Sequence, residues 1–344
     1  MSERWEAPAV TVVTGAAGWL GRAMVNRLLT EGRTNLRVLV HTNDDRSLIP
    51  QGDAIAVEVG DIGDRAVVDR LFDGVGPTAD VIHTAGLIHP RRIAELFHVN
   101  VTGTRNVTAV ATEARVRRLV HVSSNSPFGT NSHTADLFRQ DEPYHPYYGY
   151  GRSKMEGEQL VIAASAAGEV DATVVRPPWF YGPFQPPRQT TFFRMVRNGK
   201  FPIIGGGEQR RSMVYVENLV DGILAAELTP QANGKGYWIA DERPYAINEI
   251  VETVGRALRD EGYSVKDGGM RLPAIAGRVA EIGDRLIQRT GRYQQQLHVL
   301  GEMDKTIACD ISASTTDLGY RPTIALYEGM RLSIQWCKAQ GLEL

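Results

Sequence analysis

Short runs of β-branched and apolar residues alternate along the chain with longer stretches that carry apolar side chains at every third or fourth position. Ala9–Val13 is the first run, and Gly18–Glu31 follows it with Leu20, Met24 and Leu28 at helical spacing. Further strands are predicted at Leu36–Val40, Ala54–Val59, Asp80–His83, Arg118–Ser123 and Ala172–Arg176. Helices are predicted at Asp64–Phe72, at Asn100–Arg115, where Val101, Thr104, Val107 and Ala111 share a face, and at Tyr150–Ala166. Alternation on this scale predicts an α/β fold, a doubly wound parallel sheet with helices on both faces. After Arg176 the texture changes, with Pro177, Pro178, Pro183, Pro186 and Pro187 ending the regular pattern. Beyond them a helix is expected at Thr190–Gly199, a turn at Gly205–Gly207, a helix at Asn218–Leu228 and a strand at Gly236–Ala240. The last two could return to the first sheet. From about Arg243 the chain reads as helix-rich.

Composition narrows the classes. The chain has 344 residues, 42% of them hydrophobic and 23% charged, which excludes a disordered, collagen-like or coiled-coil protein. Thirty-eight Lys and Arg against 40 Asp and Glu leave a net charge of -2, so nothing supports a nucleic-acid partner. Cys309 and Cys337 are too few for a disulfide framework and lack metal-ligand spacing, so buried thiols and no metal are expected. The stretch Met1–Pro8 has no apolar segment of a signal peptide, and the longest apolar runs fall short of a membrane span. A cytoplasmic protein with no membrane partner is the expectation.

Two groups of residues carry chemistry. Thr14-Gly15-Ala16-Ala17-Gly18-Trp19-Leu20-Gly21 lies between the first strand and the first helix. Gly15 permits a tight turn, Gly18 lets backbone approach a pyrophosphate, and Gly21 lets the helix sit close to the sheet. The helix N-terminus offers free N–H groups to the anion. Tyr150 and Lys154 are spaced i, i+4, one turn apart on one helical face. A cation beside a phenol favours phenolate, which would let Tyr150 give or take the proton of a secondary alcohol. Ser123 and Ser124 end the strand that starts at Arg118, and strand alternation lets only one of them face the crevice. His89, Arg91 and Arg92 read as a solvated loop, and His121 and His133 as structural or solvated.

These motifs resemble the short-chain dehydrogenase/reductase superfamily, in its extended branch, over nearly the whole chain. The resemblance implies a Rossmann-like domain of residues 1–178 plus about 212–242 and a smaller, helix-rich substrate-binding domain of about 179–211 plus 243–344. It makes Ser124, Tyr150 and Lys154 the catalytic set, with Lys154 also bonding the nicotinamide ribose. Gly15, Ala17, Gly18, Trp19 and Leu20 would hold the cofactor, with Asp61 and Ile62 of Gly60-Asp61-Ile62 at the adenine. His83-Thr84-Ala85-Gly86 would run beside the cofactor, with Asn100 of Asn100-Val101-x-Gly103-Thr104 and Pro177 of Arg176-Pro177-Pro178-Trp179. A homodimer through the Asn100 and Tyr150 helices is implied as well.

The coenzyme and the substrate are less constrained. The usual acidic position at the end of the second strand is taken by His41 or Thr42, and Arg46 is within reach of a 2′-phosphate. NADP(H) is therefore favoured, with NAD(H) possible. Trp179 stands where nucleotide-sugar enzymes of this branch carry Asn, which suits an apolar, ring-bearing small molecule. Asn125 follows the serine and would also meet the substrate. Arg211 stands where those enzymes place a diphosphate-binding arginine. The leading expectation is an alcohol–ketone oxidoreductase acting on a bulky, largely apolar substrate. The alternatives are a nucleotide-sugar epimerase or dehydratase with tightly held NAD, and a non-catalytic NAD(P)-binding sensor.

Overall fold

Each of the first six apolar runs folds as a five-residue strand: β1 (Val10–Thr14), β2 (Leu36–Val40), β3 (Ile55–Val59), β4 (Ala79–His83), β5 (Arg118–Val122) and β6 (Ala172–Arg176). The computed structural model describes residues 4–344, so Met1–Glu3 of the N-terminal stretch read above lie outside the described residues. Helices α1 (Trp19–Thr30), α2 (Arg65–Leu71), α3 (Ile93–Phe97), α4 (Thr104–Glu113) and α5 (Tyr148–Ala166) connect the strands. Every residue of β4, β5 and β6 is buried, because helices cover both faces of the sheet.

Beyond β6 the chain forms β7 (Trp179–Tyr181), α6 (Pro187–Arg197), β8 (Pro202–Ile204), β9 (Arg210–Arg211), β10 (Met213–Tyr215), α7 (Val216–Leu228) and β11 (Gly236–Trp238). The parallel sheet has the order β11-β6-β5-β4-β1-β2-β3. Strand order reverses between β1 and β4, which opens a ligand crevice at the carboxyl ends of these strands. One face of the sheet packs Val13, Val38 and Tyr237 against Met24 and Leu28 of α1 and Leu219 and Ile223 of α7. The other packs Val12, Leu39 and Leu119 against Val68 of α2, Val107 of α4 and Val161 of α5.

The remaining elements are β12 (Tyr245–Ala246), α8 (Ile247–Asp260), β13 (Met270–Leu272), α9 (Ile275–Arg289), α10 (Gln295–Glu302), α11 (Ser312–Leu318) and α12 (Leu326–Ala339). A second core joins Phe193 and Val196 of α6 to Ile250, Val254 and Leu258 of α8 and Met330 and Ile334 of α12. Tyr181 of β7 and Tyr215 of β10 close it toward the sheet. Cys309 and Cys337 are both buried and unpaired.

The helix expected at Asn100–Arg115 begins earlier, at Ile93, and passes through a π turn at His98–Gly103 before α4. The widened turn carries Asn100, whose amide reaches out to Leu87 and Ser153. Helix α5 packs hard against it: a Cβ on Gly157 would lie 2.6 Å from the Asn100 carbonyl oxygen.

Candidate active site

The crevice floor is the turn after β1. Gly15 has φ +70°, and a Cβ there would sit 2.7 Å from the backbone of Ala85. A Cβ on Gly21 would lie 2.1 Å from the Gly15 carbonyl oxygen, so loop, helix and the segment after β4 close on one another only as glycine. Gly18 faces open space apart from that oxygen, at 3.1 Å, and no side chain caps α1 there. Uncapped amides beside an open cradle fit a pyrophosphate. Ala17 and Trp19 are half-buried, while the Leu20 side chain belongs to the core and leaves only its backbone for a ligand. Trp19 ties the loop to the second half of the chain: its ring lies 4.5 Å from that of Phe180, and its Nε1 donates to the Pro183 carbonyl at 2.6 Å.

At the adenine end, Asp61 accepts from the Gly63 amide and pairs with His98, both at 2.8 Å. Burial opposes ionisation of this carboxyl, yet these partners outweigh it and hold it below the ordinary range. Ile62 turns inward beneath Gly103. His41 and Arg46 are exposed after β2, and the nearby Asp45 carboxylate is already engaged by the Thr42 amide and hydroxyl at 2.8 and 2.9 Å.

The segment after β4 corrects one expectation. His83 is fully buried, with Nδ1 against the Thr14 hydroxyl at 2.7 Å and Nε2 against that of Thr104 at 3.0 Å. Burial holds it neutral, its pKa lowered to about 3. Its ring therefore bolts β1 and β4 to α4 and does not line the crevice. Thr84 donates to the Thr14 carbonyl at 2.6 Å and the Ala85 amide to the Thr14 hydroxyl at 3.3 Å. Gly86 faces the meeting point of Asn100 and Lys154: a Cβ there would lie 3.5 Å from Asn100 Oδ1 and 3.8 Å from Lys154 Nζ.

The two serines part company. Ser123 donates to Glu158 at 2.5 Å, on the buried side of β5. Ser124 faces the Tyr150 phenol, and its Oγ accepts from the Ser126 amide at 3.2 Å. Asn125 is half-buried beside it, and Pro177 is buried at the end of β6. Burial raises the Tyr150 pKa, with Ser124 and the charge of Arg188 pulling against it. The expectation that Lys154 would draw the phenol down is corrected here. The ammonium of Lys154 donates to the Val122 carbonyl at 2.8 Å, and burial lowers its own pKa to about 8 against the charge of Glu158. The charge of Arg188, at the start of α6, also favours the phenolate of Tyr150 but does not offset burial; sequence reasoning missed this residue.

A network beneath the site was missed too. Glu158 Oε1 accepts from Arg176 Nε and Nη2 at 2.9 and 2.7 Å and from Tyr144 at 3.0 Å. The available signal was a charged residue on the inner face of a predicted helix and another in an otherwise apolar strand. Just beyond β6, Trp179 packs edge-on to Phe192 at 5.2 Å, against the second core, and donates to Gln189 at 3.3 Å. Arg211 is buried, gives Nη2 to the Glu302 carbonyl, and has no partner for Nη1 among the described residues. The Tyr147 hydroxyl is buried and has no partner among the described residues either. The region of α9 and α10 brings in His298, held by Asp284 at 2.8 Å, and Tyr293, which meets His89 at 2.9 Å. His89 is thus no solvated loop residue; burial lowers its pKa to about 4.

Residues 11–240 match the NAD dependent epimerase/dehydratase family. The uncharacterized protein y4nL of Sinorhizobium fredii is 46% identical, over 97% of this chain and 96% of its own. The 4-hydroxy-2-methyl-3-oxo-4-farnesyl-3,4-dihydroquinoline-1-oxide ketoreductase of Stigmatella aurantiaca is 27% identical, over 93% and 94%. Among solved structures, DesIV, a dTDP-glucose 4,6-dehydratase from Streptomyces venezuelae with NAD and TYD bound, superposes with a TM-score of 0.74 at 22% identity, over 97% of this chain and 99% of that one. The extent of the match and of the shared fold make this chain an enzyme of the extended short-chain dehydrogenase/reductase superfamily, and it belongs to the NAD dependent epimerase/dehydratase family.

Proposed function

We propose that the enzyme interconverts a secondary alcohol and a ketone on a bulky, largely apolar small molecule, with Ser124, Tyr150 and Lys154 as its catalytic set. The observation that carries this reading is the pairing of Ser124 and Tyr150 at the carboxyl edge of the sheet with an aromatic wall, Trp179 on Phe192, just beyond the end of β6. The ketoreductase relative, named for a farnesyl-bearing substrate, supports it. A bound nicotinamide supplies or takes the hydride. Ser124 then donates to the carbonyl oxygen, and Tyr150 passes its proton to that oxygen in reduction or removes it in oxidation. A phenol held above its ordinary pKa stays protonated at neutral pH, which suits the reductive direction. Lys154 and Asn100 flank Gly86, where they would hold the ribose.

The coenzyme reading is a preference for NADP(H): no acid stands at the end of β2 itself, Asp44 and Asp45 come only on the turn beyond it, the Asp45 carboxylate is engaged within that turn, and Arg46 stands exposed beside them. We read residues 1–178 plus about 212–242 as the cofactor domain and the rest as the substrate domain, in a homodimer paired through α4 and α5.

A second reading, a nucleotide-sugar enzyme, draws on the unpaired Nη1 of Arg211 and the unpaired hydroxyl of Tyr147, two buried donors that a diphosphate would satisfy. Elimination of water would need an acid beside the reacting carbon, and the residues after Ser124 are Asn125 and Ser126. Trp179→Asn and Arg211→Ala, each assayed on polycyclic ketones and on UDP- and dTDP-sugars with both coenzymes, separate the readings. The proposal expects Trp179→Asn to raise KM for the apolar ketone by about 5- to 150-fold, from about 1–3 kcal/mol of lost aromatic burial. It also expects kcat/KM to be higher with NADPH. Sugar-nucleotide binding that depends on Arg211 and not on Trp179 would install the second reading.

A further inference from the structure

We propose that helix α9 docks this protein on an anionic lipid surface, lying flat in the headgroup layer. The helix runs for 15 residues, and its outward stripe, Ile275, Val279, Ile282 and Leu286, is exposed at 66%, 61%, 61% and 56%. These are the most exposed of the large apolar side chains among the described residues, and they fall at i, i+4, i+7 and i+11 of one helix. Single exposed apolar residues are ordinary; a continuous row of four is the mark of a face that is covered in use.

The charges around the stripe choose the occupant. Arg278, Arg285 and Arg289 on α9 are exposed, as are Arg271 just before it and Arg292 just after. The acids of the helix are turned away from the stripe: Asp284 is buried on His298 at 2.8 Å, and Glu281 pairs with Lys305 at 3.2 Å. Those are the ion pairs of α9 among the described residues, so its arginines keep their charge for a partner. In a chain whose net charge is -2, this is a local cationic surplus around an apolar row. An amphipathic helix of that make-up seats its apolar face among lipid chains and its arginines at anionic headgroups. A second copy fits poorly, because a two-fold contact through this face would set the same arginines against one another. No helix among the described residues is long and apolar enough to cross a membrane, so the contact is interfacial.

The inner side of α9 reaches the active site: Gln288 Oε1 accepts from the Gly149 amide at 3.1 Å, one residue before Tyr150. Docking would therefore bring the substrate cleft to the surface where an apolar ketone dissolves. The inference concerns binding alone and is tested without any substrate.

The full chain is sedimented with vesicles of phosphatidylcholine alone and with vesicles containing about one-third phosphatidylglycerol, at low salt. Binding is expected with the anionic vesicles only. The double change Ile282→Glu and Leu286→Glu should abolish it. The triple change Arg278→Gln, Arg285→Gln and Arg289→Gln should weaken it about a hundredfold, at about one headgroup contact per arginine. All these side chains are exposed, so unchanged thermal unfolding is expected of both variants. Failure of the native chain to bind anionic vesicles overturns the proposal, and so does equal binding to neutral ones. A self-associated species that Ile282→Glu dissociates would assign the face to a second copy instead.

Discussion

Burial lifts the Tyr150 phenol above its ordinary pKa, and in the proposed reaction this phenol is the group that passes the proton. Tyr150→Phe keeps the ring packing and removes the transferable proton, so turnover should fall by about 10²–10⁴ while coenzyme affinity stays within a few-fold. Steady-state kinetics beside a coenzyme titration measure both, and near-normal turnover would remove Tyr150 from the mechanism. The spacing of Tyr150 and Lys154 was legible in the sequence because i, i+4 is a local property of one helix. What Lys154 does with its charge was not, because its partner, the Val122 carbonyl, is 32 residues away on β5. The same distance problem hid the choice between Ser123 and Ser124. It is made by Glu158, which captures the hydroxyl of Ser123 from α5 and leaves Ser124 to face the phenol. Arg188 left no trace in any pattern, since an arginine in the first turn of a helix after two prolines is as ordinary a surface residue as the chain contains.

At the level of elements, the phosphate turn rests on close contact between backbones. A methyl on Gly21 would meet the Gly15 carbonyl oxygen at 2.1 Å and Ala16 Cα at 2.8 Å, and neither can rotate away. Gly21→Ala should therefore push α1 off β1, costing about 1–3 kcal/mol of stability and weakening coenzyme binding along with it. Denaturant unfolding and a coenzyme titration would show both losses; an unaltered midpoint would mean that the loop is looser than it looks. The five-residue strands and their helices were readable because burial on both faces demands unbroken apolar runs. Strands β7 to β10, β12 and β13 have two or three residues each, too few for any periodicity to register. The π turn at His98–Gly103 was equally hidden: it is selected by what Asn100 and Gly157 touch, and its residues read as plain helix.

The whole molecule is two cores sewn together just after β11. There the Asp241 amide donates to the Met213 carbonyl at 2.7 Å, and its carboxyl accepts from the hydroxyls of Tyr181 and Tyr245, each at 3.2 Å. Burial raises this carboxyl from 3.8 to about 7, even though the tyrosines favour its charge. The folded chain thus keeps a proton that the unfolded chain gives up. Its contribution to stability is complete below about pH 4 and is lost as pH rises to about 7. Asp241→Asn should flatten the stability profile across that window, by at most about 1.4 kcal/mol per pH unit. Urea midpoints at pH 5 and 7 compare the two proteins, and parallel profiles would clear Asp241 of the effect. The position of β11 matters also for how the chain is made. Strand β6 ends at Arg176, and its neighbour does not begin until Gly236. On a ribosome adding about 5–20 residues per second, residues 177–235 take about 3–12 s to emerge. Throughout that interval the edge of β6 is a row of unmet amides and carbonyls that any extended peptide could join. A nascent chain of this protein needs shelter from its neighbours at that stage, before the last strand arrives to close the sheet.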